Sequence, residues 1–479
     1  MLTFHIFQWG TPSVSVPEQG LTIDHSKTKD QATNYVMPTL REDNINEMMK
    51  NIPFNTLSKT FQEAIQAARC LGLRYIWIDS LCIIQDSEDD WKKESTTMCD
   101  IYSGSMINIA ATASKNGAEG CFRDRTPDKV NPCKVGISME NDGQGVWHNL
   151  QSNVWQDQVE NSPLCRRAWV VQERILAPRT LHFGGTQMFW ECNNLAACES
   201  IPDGSECVSV KKTLSSFPGN VWQFIVEQYC KASLSHTSDK LVAIAGIAKF
   251  LQVLDPRQYD DYFAGLWRKD IEKQMLWTVR EGPIREPVEN RPAYYRAPTW
   301  SWASIDGPVL FRTISRNMPR MRMGFKVTDI RVVPSTEDKL GKIEHGSLKS
   351  NCPPLKSARL SFKSDDGKFE LDGISVPSGL LRIDVKLSSA WQNTTIYLMA
   401  AIFGVDTHLP SGEKIVCCIV LSQTGQSKGE YQRLGILDLA DSFVASKHFQ
   451  EAPDVLDELA YKGIEQTENG EMKYFIEIF

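Results

Sequence analysis

The chain has 479 residues, 42% of them apolar and 23% charged, proportions that fit a globular protein and exclude a disordered or fibrous one. That length implies two or three domains. Acidic residues exceed basic ones by 59 to 52, so a net charge of -7 gives no general pull toward nucleic acid or anionic membrane, and no segment approaches the roughly 20 apolar residues that span a bilayer.

MLTFHIFQWG has neither a positive n-region nor a small-residue cleavage site, so no signal peptide is expected. Residues 4–10 read as a short strand ending at a Trp-Gly turn, and 11–52 as an irregular, polar loop. In SKTFQEAIQAARCLGL, Ser58 is placed to cap a helix. Phe61, Ile65, Ala68 and Leu71 then recur at helical spacing, and Gly72 follows as a C-terminal glycine. RYIWIDSLCIIQ is apolar and β-branched and reads as a buried strand. A second helix is expected after Asp86 or Ser87, with acidic residues in its first turn, where the helix dipole favours them. MINIAATAS reads as another buried strand. Helix–strand alternation over 57–114 implies parallel pairing and an α/β core.

Residues 165–177, CRRAWVVQERILA, form a third amphipathic helix stopped by Pro178. TLHF-GG-TQMFWEC then reads as a β-hairpin with a primed turn at Gly184-Gly185. Residues 210–280 have a mostly helical pattern, including KLVAIAGIAKFL and AGLWRKDIEKQMLW, with Trp222, Trp267 and Trp277 as core residues. RAPTWSWAS reads as a rigid aromatic corner. Beyond Asp306 the strand-like runs ARLSFKS, LLRIDVKL, TIYLMAAIFG, KIVCCIVLS and MKYFIEIF predict a β-rich region, with 335–357 as a flexible connection within it. The thirteen cysteines include no CxxC pair, so no zinc spacing is present; without a secretion signal they read as reduced thiols in a cytoplasmic protein.

The segment from Leu71 to Ser114 resembles the central block of heterokaryon-incompatibility (HET) domains of filamentous fungi. RRAWVVQERILAPRTLHFGGTQMFWEC resembles the family's second block, an Arg-x-Trp-x-x-Gln-Glu-Arg helix leading into a Leu-His-Phe strand. KLVAIAGIAK, AGLWRKD, RAPTWSWASIDGPV and YQRLGILDL resemble regions that commonly follow such a domain. One departure stands out: the family's opening strand, Leu-Ser-Tyr-Cys-Trp-Gly, is matched here only by Trp9-Gly10. The resemblance implies a HET domain over 1–200 with its core at 57–192, a helical region at 201–305 and a β-rich region at 306–479. It further implies a TIR-like, mostly parallel sheet flanked by helices, because HET domains are regarded as distant relatives of TIR domains, some of which cleave nicotinamide from NAD. TIR domains carry a Trp-Cys-x-x-Glu helix, and Trp169 and Glu173 stand at that spacing, on one helix face.

Glu173 is therefore the candidate catalytic residue. Breaking a nicotinamide–ribose bond develops positive charge on the sugar, which a carboxylate stabilises, and the neutral leaving group needs no general acid. The competing reading is an ion pair with Arg174, Arg179 or another arginine. Asp79, inside an apolar strand, either faces a ligand crevice at the strand's C-terminal end or is a structural carboxylate that caps a loop or pairs with Arg167. Arg167 is a candidate phosphate clamp. Trp169 could stack on a ring or be core. Trp9, from the family's opening strand, joins the candidate substrate-binding set. Cys82 has no histidine near it in sequence and reads as a buried thiol, Glu94 as a structural hydrogen-bonding group, and His182 as a satisfied strand histidine. GxGxxG and Walker A motifs are both missing, so NAD is expected as substrate and no resident cofactor or metal is implied. The resemblance points to fungal self/non-self recognition and cell death, as an NAD nucleosidase that self-associates. The alternative is a non-catalytic module that binds a protein partner through helix faces near Trp91 and Trp169; a cysteine hydrolase ranks last.

Overall fold

The computed structural model describes residues 3–7, 38–125, 130, 133–137, 145–149, 153–204, 209, 211, 221–280, 291–312, 322–362, 369–377, 379–405, 413–439, 449, 451–452, 454–468 and 470–479. Of the expected loop over 11–52, residues 11–37 lie outside them, as does Trp9, while the described part includes a short helix, Ile45–Met48. The chain divides into two compact units, Met1–Trp222 with Ala232–Leu234, and Gln223–Lys231 with Ser235–Phe479.

The first unit is built on a six-stranded sheet. Its strands are β1 (Thr3–Phe7), β2 (Tyr75–Trp77), β3 (Ile107–Ala110), β4 (Arg179–Phe183), β5 (Met188–Cys192) and β6 (Ala196–Cys198), in the order β2-β1-β3-β4-β5-β6. The helices are α1 (Lys59–Cys70), α2 (Glu88–Gly104) and α3 (Ala168–Leu176). Their ends follow local chemistry. The Ser58 hydroxyl accepts from Phe61 N at 3.3 Å, Ser87 caps α2 by accepting from Asp90 N at 3.4 Å, and Gly72 takes φ +70 after α1. Phe61, Ile65 and Ala68 are buried as their spacing requires, while Leu71 is exposed.

Three local expectations are corrected. The sheet is mixed rather than mostly parallel: β1 runs antiparallel to both β2 and β3, β4 and β5 are antiparallel, and β3–β4 is the parallel pair. The helix-joined strands β2 and β3 do share a direction, but β1, with all five residues buried, occupies the slot between them. The run after Arg74 is not one long strand. It leaves β2 at Trp77 and turns helical over Asp79–Cys82, where the Asp79 carboxylate accepts from Ser80 N at 2.7 Å, a local bond that competes with the ladder. The β4–β5 hairpin closes through four residues, Gly184–Gln187, with Gly184 N donating to Gln187 O at 3.1 Å. Gln158 Oε1 accepts from Thr186 N at 3.1 Å and so holds this longer turn.

In the second unit, Val242–Leu254 is helical as its pattern implies, with Ile244, Ile247 and Leu251 buried. The helical expectation for AGLWRKDIEKQMLW fails: Leu266–Trp267 and Trp277–Val279 are strands around a short helix, Ile271–Gln274. Gly265 at φ +96 and Asp270 at φ +57 break the pattern, and a Cβ on Gly265 would approach Trp302 Nε1 to 2.7 Å. The β-rich region forms a twelve-stranded sheet, in which the expected strands appear as Lys356–Phe362, Leu381–Ile383, Thr394–Val405, Glu413–Gln423, Glu430–Asp438 and Met472–Ile478. The presumed flexible connection over 335–357 instead holds a ten-residue inner strand, Ile343–Cys352, paired on both sides. Its polar composition concealed it, because Ser347 and Ser350 face inward. The aromatic corner is as expected: Trp300 and Trp302 are fully buried, Trp277 Nε1 donates to Trp300 O at 2.9 Å, and the Arg433 guanidinium lies 3.6 Å over the Trp277 ring while pairing with Asp384 at 2.8 Å. Among the described residues no helix is long and apolar enough to cross a membrane.

Candidate functional site

The two faces of the first unit's sheet differ in chemistry. One face is apolar: Phe4, Ile6, Ile107, Ile109, Leu181 and Phe183 pack with Phe61, Ala64, Ile65 and Ala68 of α1. On the opposite face the register sets two polar rows side by side. Trp77, His5, Asn108, Thr180 and Glu191 form one, and Thr3, Ala110, His182 and Phe189 the other. His5, Asn108, Thr180, Glu191, His182 and Thr3 are all fully buried. Helices α2 and α3 supply Tyr102, Glu173 and Arg174 to this layer. The Tyr102 ring lies 4.4 Å from the His5 ring and 6.0 Å from that of Trp77. Sealing so many polar groups is costly unless they are partnered.

Part of the layer is fully partnered. Arg174 forks onto two carboxylates, meeting Glu191 through Nε and Nη2 at 3.1 Å each and Glu160 through Nη1 and Nη2 at 3.0 Å each. His182 Nε2 lies 3.3 Å from Glu191 and its Nδ1 3.0 Å from the Thr112 hydroxyl, and the Lys211 ammonium donates to Ala177 O. Burial works to raise the Glu191 carboxyl, but Arg174 and His182 overcome it and hold it well below the usual range. Burial also lowers His182, so this histidine is neutral and satisfied, as expected from sequence.

Glu173, the next residue before Arg174, has a different environment. It is fully buried, its Oε2 accepts from the Thr3 hydroxyl, and its Oε1 has no partner among the described residues. Burial pushes its carboxyl up to about 8; Arg167 pulls the other way, and Asp79 adds to the rise. Tyr102 feels the charges of both Glu173 and Asp79, although burial is the larger cause of its raised phenol. Asp79, half-buried at the start of its helical turn, and Arg167, exposed at the N-cap of α3, are therefore coupled to Glu173 by charge.

The expected arginine partners of Glu173 are corrected: Arg174 is committed to Glu160 and Glu191, and Arg179 donates to Met106 O at 3.2 Å. Asp79 does not end a parallel strand, and among the described residues it forms no ion pair with Arg167. Trp169 is half-buried and contributes no described contact to the Glu173 group. Burial drives the Cys82 thiol up to about 11, which excludes a thiolate nucleophile at neutral pH. Glu94 is buried near it, bonded by Thr97 and paired with Lys93 at 3.6 Å. Sequence reasoning missed Thr3, His5, Asn108 and Tyr102. For Thr3 and His5 the signal was present in TFHIF, where polar residues alternate with Phe4 and Ile6 inside a strand buried on both faces.

No curated protein and no solved structure matches this chain. Residues 8–173 match the family model for the heterokaryon incompatibility protein (HET). The matched span takes in the Asp79 turn, α2, β3 and α3 as far as Glu173, so this segment of the chain is similar to a HET domain.

Proposed function

We propose that this protein acts in fungal self/non-self recognition leading to cell death, and that its first unit cleaves the nicotinamide–ribose bond of NAD at Glu173. The observation that carries the reading is a contrast between two carboxyl groups in one buried layer. Glu191 is forked by an arginine and bonded by a histidine, as a structural carboxylate should be. Glu173 is equally buried yet keeps an unpartnered oxygen and a carboxyl pushed up to about 8. Such a group subtracts from stability, and perturbed, under-satisfied carboxyls cluster at reacting centres.

In the proposed reaction the C1′–N bond breaks and its electron pair leaves with neutral nicotinamide. The Glu173 carboxylate stabilises the positive charge on the ribose carbon, and water adds there, releasing a proton. Arg167 suits the pyrophosphate because a guanidinium meets two phosphate oxygens at once. Its arrival beside Glu173 with substrate favours the ionised carboxyl. Asp79 binds ribose hydroxyls, and Trp169 and Trp9 offer faces for the rings. In the state described Glu173 is closed from solvent, so this reading requires the layer to open, which self-association would supply.

The same seal favours a second reading, a non-catalytic module acting through a protein partner. Nicotinamide release by the purified protein separates the two, measured by chromatography over a range of protein concentration with Glu173→Gln alongside. Release that is lost in the variant supports the nucleosidase. Absence of release from the wild type at every concentration leaves the binding module.

A further inference from the structure

We infer that Thr3 is the positioning residue for Glu173: its hydroxyl fixes Oε2 and leaves Oε1 as the oxygen a ligand meets. The inference rests on the reading of Glu173 as the reacting carboxyl. The terminal torsion of a glutamate is broad, so a carboxyl without a tether samples many orientations. Among the described residues the Thr3 hydroxyl is the hydrogen-bond partner of this carboxyl, and both groups are fully buried.

The strand holds the hydroxyl in place. Thr3 pairs with Ala110 in β3, and two residues on, His5 is paired on both sides, with Trp77 and with Asn108. The facing Ala110 carries only a methyl, so nothing opposite Thr3 competes for its hydroxyl. The next group along that row, His182, is already engaged by Thr112 and Glu191. His5 is lowered to about 3, by burial first and Lys211 second, so it adds no positive charge beside Glu173 at neutral pH. The charged groups that bear on Glu173 are Arg167, at the N-cap of its own helix, Asp79, on another element, and the chain's amino terminus. A tether from a third element, the inner strand β1, sets the carboxyl against Arg167 and Asp79. A site whose reacting group is held by a rigid element keeps its geometry better than one held by loops.

A hydroxyl that donates to a carboxylate favours the ionised form. Removing it should therefore move the carboxyl's titration to higher pH and blur its orientation. The test compares Thr3→Val, which keeps shape and loses the hydroxyl, with Thr3→Ser, which keeps the hydroxyl. Infrared difference spectra give the protonated-carboxyl band of Glu173, assigned by its loss in Glu173→Gln, and nicotinamide release gives kcat and KM against pH. Thr3→Val is expected to shift the band and its titration and to lower kcat about tenfold or more, the effect of one hydrogen bond to a charged group. KM should change little, and Thr3→Ser should recover most of the loss. Should Thr3→Val not fold, Thr3→Ala against Thr3→Ser isolates the same hydroxyl. An unmoved band, or an active wild type whose kcat is indifferent to the hydroxyl, overturns the inference alone. An inactive wild type sinks the nucleosidase reading and this role with it.

Discussion

Replacing Glu173 by glutamine should change stability in a way that reverses sign with pH. The carboxyl lies at about 8 in the folded chain against an ordinary value of 4.5, so between those limits the unfolded chain releases a proton that the folded chain keeps. A group raised in this way costs nothing below pH 4.5 and progressively more up to pH 8, at about 1.4 kcal/mol per pH unit. At pH 7 the wild type therefore bears about 3 kcal/mol. Glutamine bears none of this, but its amide adds a buried donor without a partner, worth about 1–2 kcal/mol. The variant should be about 1–2 kcal/mol more stable than wild type at pH 7, about 2–3 kcal/mol more stable at pH 8, and slightly less stable at pH 5. Urea unfolding of both proteins across pH 5–8.5, with equal m-values, measures the difference. A difference that stays constant across that range would mean that Glu173 is not a buried, protonated acid, and the contrast with Glu191 would fall with it.

The partnered half of the layer should respond in the opposite sense. Arg174→Met removes the guanidinium that forks onto Glu160 and Glu191, and it should destabilise the first unit by about 3–5 kcal/mol in denaturant melts. In the second unit, Asp384→Asn weakens the pair that holds Arg433 over Trp277 and should cost a similar amount, while Asp384 with Arg433 replaced together by apolar residues should recover part of it, as a double-mutant cycle would show. Cys82, raised to about 11, should resist iodoacetamide in the native protein at pH 8 while exposed Cys70 is modified, with peptide mass spectrometry reading each site. For the proposed reaction, kcat/KM should rise with pH through about 8, since the free protein must lose the Glu173 proton, and a flat profile would argue against a carboxylate there.

The three longer helices of the first unit were legible because their signals are local. Ser58, Ser87, Gly72 and Pro178 mark their ends by side-chain or backbone chemistry that needs no distant partner. The strand runs of the β-rich region were legible for the same reason, while Ile343–Cys352 was not, since its inward-facing serines carry no apolar period. Sheet order was not legible. Helix-joined strands suggest parallel neighbours, and nothing within residues 57–114 announces that Thr3–Phe7 will come between them. The candidate site was half legible. Spacing on α3 singled out Glu173, and charge couples it to Asp79 and Arg167. Its hydrogen-bond partner Thr3 lies 170 residues away in sequence and is visible only once the sheet is assembled.

The insertion of β1 between β2 and β3 also sets the order in which the first unit can form. Among the strands of this sheet it is made before the others, but its neighbours begin at Tyr75 and Ile107, and β4 follows only at Arg179. Until Tyr75–Trp77 and Ile107–Ala110 have been made, Phe4, Ile6 and Phe7 have no ladder to join, and closing those long loops must precede any gain from pairing. The helices can form as they emerge; the sheet must wait. Synthesis thus passes through a stage in which an apolar strand is displayed without a partner, a species prone to aggregation and dependent on how quickly residues 75–110 arrive to enclose it.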